Sequence, residues 1–431
     1  MSSIATSGTF KNYLFFWGGQ LFSLLGSSIV HFVLIWWINV ITPDRNLAAF
    51  LLGLTNFLGM LPLIVLSPIA GVFIDKWNRK YIIAIADSMQ AFITFFLVLI
   101  FFFRIEDVML VILINSLRGI CQAFHFPTVK AIIPLMIPKD KLSRMNAIDY
   151  GVNGLVHIAG PAVGALLYGF LPIASVLWVD IITFFIAIIP LILIKIPEVK
   201  QNNVKKESFS FIKDFRQGIR GLKKVPGLVI LLVLISVVNF LGVPFGTLLP
   251  VFISDIHYGD QSGVAYAFVI GLMQIGMVLG AVIATIKKDY KNRVLVITGC
   301  ILISAVGYFM SALSPIGNFT IIGIGGMMRA AMTPLINTNF LTIIQLHVPP
   351  EKQGKVMSIV VSLAWFVIPP GSLVAGTFAA LMGIVPLFLT FASLIILTVV
   401  IIVFFTNVRS VRYEHVYEVE EEKTVEDSGD I

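Results

Sequence analysis

The sequence has little charge and little cysteine. Only 12% of its 431 residues are Asp, Glu, Lys or Arg, whereas 58% are hydrophobic and the mean hydropathy is +0.97. Soluble domains carry about 25% charged residues, so a water-soluble enzyme is excluded. Cys121 and Cys300, the two cysteines, both lie in apolar runs, which argues against a structural disulfide.

The signatures of several chemistries are absent as well. The chain has no Gly-x-x-x-x-Gly-Lys-Ser/Thr loop for nucleotide phosphates and no His-Glu-x-x-His zinc motif. Its six histidines are scattered without the spacing of metal ligands. We therefore expect no ATP-driven pump, no enzymatic activity, and neither a cofactor nor a bound metal.

Long apolar runs are what the sequence has in abundance. A helix that crosses a membrane needs about 20 apolar residues, and these runs are too long to be the strands of a barrel. They predict an all-α integral membrane fold of twelve transmembrane helices in two six-helix, pseudo-symmetric bundles. The predicted helices cover 12–40, 48–73, 80–103, 107–134, 143–169, 172–195, 226–254, 262–286, 293–313, 317–345, 354–382 and 384–406.

The polar interruptions divide the chain into four parts. We expect an N-terminal bundle over 1–195, a basic linker over 196–225, a C-terminal bundle over 226–406 and an acidic, disordered cytoplasmic tail over 407–431. Apolar residues recur in the linker at helical spacing, which predicts an amphipathic helix on the inner leaflet, with a solvated linker as the alternative. These residues are Phe211, Phe215, Ile219 and Leu222.

The basic residues indicate the orientation of the chain. Of the 30 Lys and Arg residues, 26 fall on the side of the two termini, and only Arg45 and Arg104 fall in loops on the other side. Cytoplasmic loops of membrane proteins carry the excess of basic residues, so both termini are predicted to be cytoplasmic in a multi-pass protein of the cell membrane. This distribution also argues against a nucleic-acid partner.

The two halves resemble each other weakly. Ile137-Pro138 leads to Met145 and then to Gly160-Pro161, much as Val348-Pro349 leads to Met357 and Pro370-Gly371. Internal similarity between two six-helix halves is typical of transporters, which bind substrate between the halves near the middle of the bilayer.

A charged motif lies in the predicted cytoplasmic loop after helix 2, with Gly71, Asp75, Arg79 and Lys80. Asp75 lies at a helix C-terminus, and Arg79 and Lys80 lie at a helix N-terminus. These placements oppose the helix dipoles, so we expect the three charges to need tertiary partners, with Asp75 pairing across the interface between the halves. The pattern resembles the hallmark of the major facilitator superfamily of transporters, G-x-x-x-D-x-x-x-R-[RK]. The resemblance covers about residues 12–406 and implies a gating latch at this loop, alternating access and a monomer.

Helices 4 and 5 carry two further motifs of that superfamily. Arg118 within helix 4 resembles the arginine implicated in proton transfer in drug antiporters, with a structural ion pair as the alternative. Helix 5 contains Gly154, Gly160, Pro161 and Gly164, which resemble the Gly-Pro motif of exporters. We expect Gly276 and Gly280 of helix 8 to pack against this glycine face. The lead into helix 1, Lys11 to Gln20, is similar to the macrolide-efflux, drug:proton antiporter (transmembrane secretion effector) branch.

Ionisable groups inside the spans are candidates for proton coupling. We rank Asp149 and His157 first, followed by Arg118 and His31, whereas Asp87 and Asp180 are expected to make structural contacts. Asp149 could instead pair with a basic residue near the inner surface. Helices 7–12 contain no buried acid, which weighs against proton coupling.

Aromatic and amide side chains on the central helices are candidates for the substrate cavity. Such side chains suit large apolar or amphipathic molecules, although most Phe residues of a membrane protein face lipid or pack. The candidates are Trp36, Gln122, His125, Asn239, Phe240, Gln274, Arg329, Asn337 and Trp365.

The sequence thus predicts a secondary active exporter of hydrophobic or amphipathic small molecules, multidrug or macrolide in type and coupled to protons. Its expected partners are that substrate, protons and membrane lipid. A lipid, lysolipid or siderophore exporter of the same fold is one alternative. A non-transporting membrane receptor or scaffold that uses the acidic tail is another, and deletion of 413–431 separates it from a transporter.

Overall fold

The computed structural model describes residues 6–197, 219–257, 263–286, 290, 292–348, 356–357, 359–360, 363–406 and 408. Within these residues, twelve helices are long and apolar enough to cross a membrane. The all-α fold with twelve spans is therefore confirmed. Most of the predicted acidic tail and most of the predicted linker lie outside the described residues. Residues 219–224 of the linker are helical, and Leu222 is buried.

The helices alternate in direction along the chain. In the first half they are α1 (Ser7–Ile41), α2 (Arg45–Lys76), α3 (Arg79–Phe102), α4 (Val108–Met136), α5 (Lys139–Phe170) and α6 (Ile173–Leu193). In the second half they are α7 (Leu228–Val251), α8 (Val264–Ile286), α9 (Arg293–Ala312), α10 (Phe319–His347), α11 (Ile368–Met382) and α12 (Ile384–Phe405). We call the end where α1 begins and α12 ends the terminal end, and the opposite end the distal end.

Side-chain caps set several helix starts that hydropathy alone does not mark. α1 begins at Ser7 rather than 12, because Thr6 and Thr9 form a capping box. α5 begins at Lys139, directly after Pro138, rather than at 143. Asp44 caps α2 and Asp107 caps α4, since a side-chain oxygen satisfies amide groups that the first turn leaves unpaired. α7 continues into a π-helical turn, Phe252–Ile256.

The helices pack mainly within each half, and several helix pairs meet across the halves. In the first half α1 packs on α5 and α6, and α4 packs on α2 and α3. In the second half α10 packs on α8 and α9, while α7 packs on α11 and α12. Across the halves α2 contacts α11 and α7, and α5 contacts α8.

The contacts across the halves are tight at the distal end. The Asn39 amide donates to the Ser254 hydroxyl at 3.0 Å, and the rings of Trp36 and Tyr266 stack with centroids 5.5 Å apart. A Cβ added at Gly376 of α11 would lie 2.6 Å from the carbonyl oxygen of Ala49 on α2. The distal end is therefore closed by direct contact between the halves.

A buried histidine lies at this closed end. His257 follows the π-helical turn and is 2% exposed. Its ring packs against Phe252 with centroids 4.6 Å apart, and its Nε2 lies 3.3 Å from the Ser314 hydroxyl. Burial among these rings lowers the pKa of His257 below its usual value. Protonation of the imidazole therefore opposes the native packing.

The lowered pKa of His257 makes the stability of the fold sensitive to acid. A histidine whose pKa is lowered by folding contributes stability at pH values above its unfolded pKa of about 6.5, and that contribution is lost as the pH falls through the folded value. We expect the melting temperature to fall between about pH 7.5 and about pH 5.5, and His257→Phe to reduce that fall. Thermal unfolding of the purified protein tests this. An equally steep pH dependence in the variant would contradict it.

Candidate functional site

A ladder of polar side chains joins α3 and α4 within the apolar interior of the first half. α3 and α4 run antiparallel, and both carry polar residues three or four positions apart, so that these residues lie on one face of each helix. Each rung is a direct contact across the pair. The rungs are Thr94 with Arg118 (3.1 Å), Gln90 with Gln122 (2.8 Å) and Asp87 with His125 (3.1 Å).

The innermost rung contains a buried ion pair. An Arg118 guanidinium nitrogen lies 3.2 Å from a carboxylate oxygen of Asp180 on α6. The Asp180 oxygens also accept from the Ser27 hydroxyl of α1 at 2.8 Å and from the Thr94 hydroxyl at 2.7 Å. Four helices are thus tied together by one carboxylate. The sequence left open a structural ion pair for Arg118, and this pair is what the structure contains.

The rung nearest the terminal end pairs an acid, Asp87, with an imidazole, His125. Nε2 of His125 lies 3.1 Å from Oδ1 of Asp87 and 3.0 Å from Oε1 of Gln20 on α1. The Gln20 amide donates to Oδ2 of Asp87 at 3.2 Å. The carboxyl and the imidazole are both able to bind a proton, and Gln20 holds them in place. Such a group inside a membrane span is by default a candidate for function.

Asp149 lies nearer the terminal end and has three partners. Its Oδ1 accepts from Trp17 Nε1 at 2.6 Å and from the Asn153 amide at 2.9 Å, and its Oδ2 lies 3.6 Å from Lys130 Nζ. This is the pairing with a basic residue that the sequence left as the alternative for Asp149. His157 is exposed two turns further along α5.

His31 of α1 is also exposed. The four residues that the sequence singles out for proton coupling are thus divided: Arg118 and Asp149 are held by neighbours, whereas His31 and His157 are exposed.

The structure describes only some of the contacts expected of a latch in the loop between α2 and α3. Lys80 Nζ donates to the carbonyl oxygens of Ile192 and Ile194, at 2.6 Å and 2.9 Å, at the end of α6. A cation there complements the helix dipole, which supplies the tertiary partner that Lys80 was expected to need. The Asp75 side chain is outside the described part, and Arg79 Nε is buried with no hydrogen-bond partner among the described residues. Within the described part of the chain, a Cβ added at Gly71 would meet no neighbouring atom within 4 Å, and the latch stays a prediction.

Two glycines of the α5 face pack within their own half, and a third faces the other half. A Cβ at Gly160 would meet the Ser28 side chain of α1, and one at Gly164 would lie 2.9 Å from the Phe32 ring. Gly154 faces Val278 of α8 at 2.9 Å, and Pro161 lies inside the continuous helix.

The expected partners of that face lie elsewhere, and the prediction is wrong on this point. Gly276 and Gly280 face the backbone of Met327 and Ala331 on α10. Glycines allow close approach wherever two helices cross, and the sequence does not specify which helix crosses them.

The predicted cavity residues have different surroundings. Asn239, Arg329 and Asn337 line one cavity of about 210 Å³ in the second half, together with Met273 and Thr333. Gln274 is half-buried on α8, Phe240 packs against Gly371, and Trp365 is exposed.

Three predicted cavity residues are engaged with protein instead. Trp36 was predicted to line the cavity, but it is fully buried at the distal contact, because its ring stacks on Tyr266. Gln122 and His125 point into the ladder, since their partners on α3 are also polar.

Sequence reasoning identified Asp87, Arg118, Gln122 and His125 but missed their uncharged partners. Gln90 and Thr94 of α3 and Ser27 and Gln20 of α1 are uncharged, so a search for intramembrane charges passes over them. A signal was nevertheless present, because α3 has polar residues at 87, 90 and 94, and α4 has them at 118, 122 and 125. Matching spacing on two consecutive antiparallel helices predicts pairing.

Solved structures with the same fold have low sequence identity to this chain. A bacterial homologue of the iron transporter ferroportin, in an inward-facing state, aligns with a TM-score of 0.65 at 14% identity, over 90% of this chain and 98% of that one. A bacterial homologue of the human lysosomal transporter Spinster, in an inward-facing and unoccupied conformation, aligns with a TM-score of 0.62 at 15% identity, over 94% and 97%.

Relatives in sequence cover most of the chain. Macrolide efflux protein A of Streptococcus pyogenes is 26% identical over 91% of this chain and 95% of its own length. The staphyloferrin A transporter of Staphylococcus aureus is 25% identical over 87% and 91%. The multidrug efflux pump Tap of Mycolicibacterium fortuitum is 24% identical over 85% and 90%. The model of the Major Facilitator Superfamily matches residues 16–369, and the chain belongs to this superfamily of transporters.

Proposed function

We propose that this chain exports hydrophobic or amphipathic small molecules from the cell by alternating access, in exchange for protons. The direction and the substrate class are supported by the relatives, which include a macrolide efflux protein and a multidrug efflux pump. The cell membrane is the proposed location. Both termini are placed in the cytoplasm, as the distribution of basic residues favours.

The conformation suits the loading step of export. With the termini in the cytoplasm, the distal contact of Asn39 with Ser254 and of Trp36 with Tyr266 closes the outer side. Substrate would then enter from the cytoplasm or from the membrane. An apolar groove of about 590 Å³ between α2, α3 and α4, lined by residues such as Met89, Phe92 and Leu117, suits a hydrophobic molecule taken from lipid.

The single observation that carries proton coupling is the contact between Asp87 and His125. An acid and an imidazole 3.1 Å apart inside the membrane can exchange a proton. The next rung toward Arg118 is the contact of Gln122 with Gln90, and the Gln90 amide donates to the Ser27 hydroxyl at 2.9 Å. Ser27 in turn accepts from Arg118 at 3.2 Å. Because Asp87, His125 and Gln20 contact one another from α3, α4 and α1, protonation at this rung would alter the packing of these three helices.

Drug accumulation in energised cells tests the proposal. Wild type is expected to lower accumulation of macrolides and apolar dyes, and a protonophore is expected to abolish this effect. Asp87→Asn keeps hydrogen bonds to His125 and Gln20 but removes the titrating carboxyl, so we expect normal drug binding without proton-driven efflux. Asp149→Asn and His157→Ala test the candidates that the sequence ranked first.

Asp107→Asn is the matched control, because Asp107 is an exposed helix cap and asparagine caps equally well. This variant should export like wild type. Efflux that survives the protonophore would contradict proton coupling, and unchanged accumulation across the whole panel would contradict drug export.

A siderophore or lipid exporter is the second candidate function. Its support is the likeness to the staphyloferrin A transporter. If the drug panel shows no effect, siderophore release and lipid movement in reconstituted vesicles are the next measurements.

A further inference from the structure

The second half contains a half-buried arginine, Arg329, that pairs with no carboxylate among the described residues. Arg329 lies in the middle of α10, where one of its guanidinium nitrogens donates to the Gly242 carbonyl at 2.8 Å. The guanidinium also lies over the rings of Phe245 and Tyr308, 5.3 Å and 5.2 Å from their centroids. Among the described residues, no carboxylate lies within ion-pair distance of Arg329.

The sequence of the second half explains why. The six helices α7–α12 contain no Asp or Glu, and Asp255 lies in the π-helical turn at the distal end. Arg118 of the first half differs, because Asp180 neutralises it at 3.2 Å. A charge within a membrane span is costly unless something pairs with it. The carbonyl dipole and the two ring faces stabilise Arg329 in part, but they carry no net charge.

Arg329 borders the cavity of about 210 Å³. It shares one face of α10 with Thr333 and Asn337, since these residues follow at intervals of four. Ser304 of α9 and Asn239 of α7 add a hydroxyl and an amide from facing helices. The rest of the wall is apolar and includes Ile235, Ile301 and Ile336.

We propose that this cavity binds the oxyanion group, carboxylate or phosphate, of an amphipathic molecule, with Arg329 as its counter-ion. The guanidinium matches the geometry of either oxyanion, and the charge-assisted hydrogen bond is strong where water is excluded. The neighbouring hydroxyl and amide groups can donate to the remaining oxygens, and the apolar wall accepts an alkyl chain. The cavity equals roughly seven water volumes at about 30 Å³ each, enough for a head group and a short chain.

The binding site depends only on the contacts around Arg329. That the bound molecule is also transported rests on the proposed function. The two are separable, because binding is measured on purified protein without a gradient.

The test is a matched series of ligands with one alkyl chain and different head groups. Decanoate, decyl phosphate, decanol and decyltrimethylammonium are titrated onto the full chain in phosphatidylcholine nanodiscs, and binding is followed by thermophoresis. We expect the two anions to bind at least about tenfold more tightly than the alcohol, the lower end of the effect of a hydrogen bond to a charged group, and the cation to bind most weakly.

Variants assign that preference to the cavity. Arg329→Gln should remove the anion preference and leave decanol binding unchanged, and Arg329→Lys should retain part of it. Arg104→Gln removes an exposed cation from a loop and should change nothing. If Arg329→Gln does not fold, Asn337→Leu is expected to weaken anion binding several-fold. Equal binding of anions and alcohol by wild type, or an anion preference that survives in Arg329→Gln, would overturn the proposal.

A further experiment distinguishes the two sources of the oxyanion, which are a membrane lipid and a free amphiphile. Phosphatidylglycerol in the nanodiscs should weaken decanoate binding to wild type if a lipid phosphate occupies the cavity, and should leave it unchanged if a free amphiphile does. Either result supports an oxyanion site. If the anions bind but the protein reconstituted in vesicles does not transport them, the binding site is supported and its role in transport is contradicted.

Discussion

Asp180→Asn is expected to destabilise the protein by about 3–5 kcal/mol, the effect of removing one partner from a buried ion pair. The substitution keeps the shape of the side chain but leaves the Arg118 charge without a counter-ion where the two side chains are 11% and 4% exposed. It also weakens the bonds from Ser27 and Thr94, so four helices lose a common contact. Thermal and denaturant unfolding of the purified protein measure the loss.

The double variant Arg118→Met with Asp180→Leu serves as the control for this prediction. Replacing both charges by apolar side chains of similar volume is often neutral or stabilising, and Thr94 can still donate to the Gln90 carbonyl at 3.1 Å. We expect the double variant to regain most of the stability. A single variant that unfolds like wild type would show that the pair contributes little.

Gly376→Val is expected to abolish transport while leaving the fold intact. An added Cβ would lie 2.6 Å from the Ala49 carbonyl and 2.6 Å from the Phe50 Cα of α2, in the other half. Backbone atoms cannot move aside as the end of a side chain can. Because this contact joins the two halves at the distal end, the side chain would hold that end open. Overpacking costs about 1–3 kcal/mol, which shifts the balance of two conformations roughly 5- to 150-fold.

Cysteine labelling reports this shift. Ser254→Cys places a thiol at the distal contact with Asn39, and a membrane-impermeant maleimide should react faster with it when Gly376→Val is also present. Gly299→Val is the matched control, because a Cβ added there would meet no described residue within 4 Å outside its own stretch of helix. This variant should transport normally. Equal labelling in both backgrounds, or normal transport by Gly376→Val, would contradict the prediction.

The helices could be predicted from sequence because the membrane requires long apolar runs, whereas the ladder depends on how the helices rotate against one another. Arg118 was recognised as an interior charge, but its partner Asp180 is two helices away and no local pattern links them. Arg118 and Arg329 look alike in sequence, since each is a lone arginine in an apolar run. Only their surroundings separate the neutralised arginine from the uncompensated one.

Helix starts and glycine contacts show the same limit at a smaller scale. The start of α1 depends on hydroxyl caps at Thr6 and Thr9, which hydropathy does not detect. The glycines of α5 and α8 were recognised as packing positions, but each pair packs within its own half. The spacing of the glycines shows that another helix can approach closely there. Which helix does so depends on the packing of the whole chain.

The distal contact between α2 and α11 also has a mechanical consequence. The carboxylate of Asp180 and the rungs between α3 and α4 hold α1, α3, α4 and α6 together as one unit, and α2 packs on α4 of this unit. The unit could rotate as a rigid body about the contact between α2 and α11. Across a hydrocarbon core about 30 Å thick, a turn of about 10° at one face displaces the opposite face by roughly 5 Å. In the alternating access proposed above, a small rotation at the contact of Gly376 with Ala49 would therefore open a passage at the opposite end wide enough for a side chain or an alkyl group.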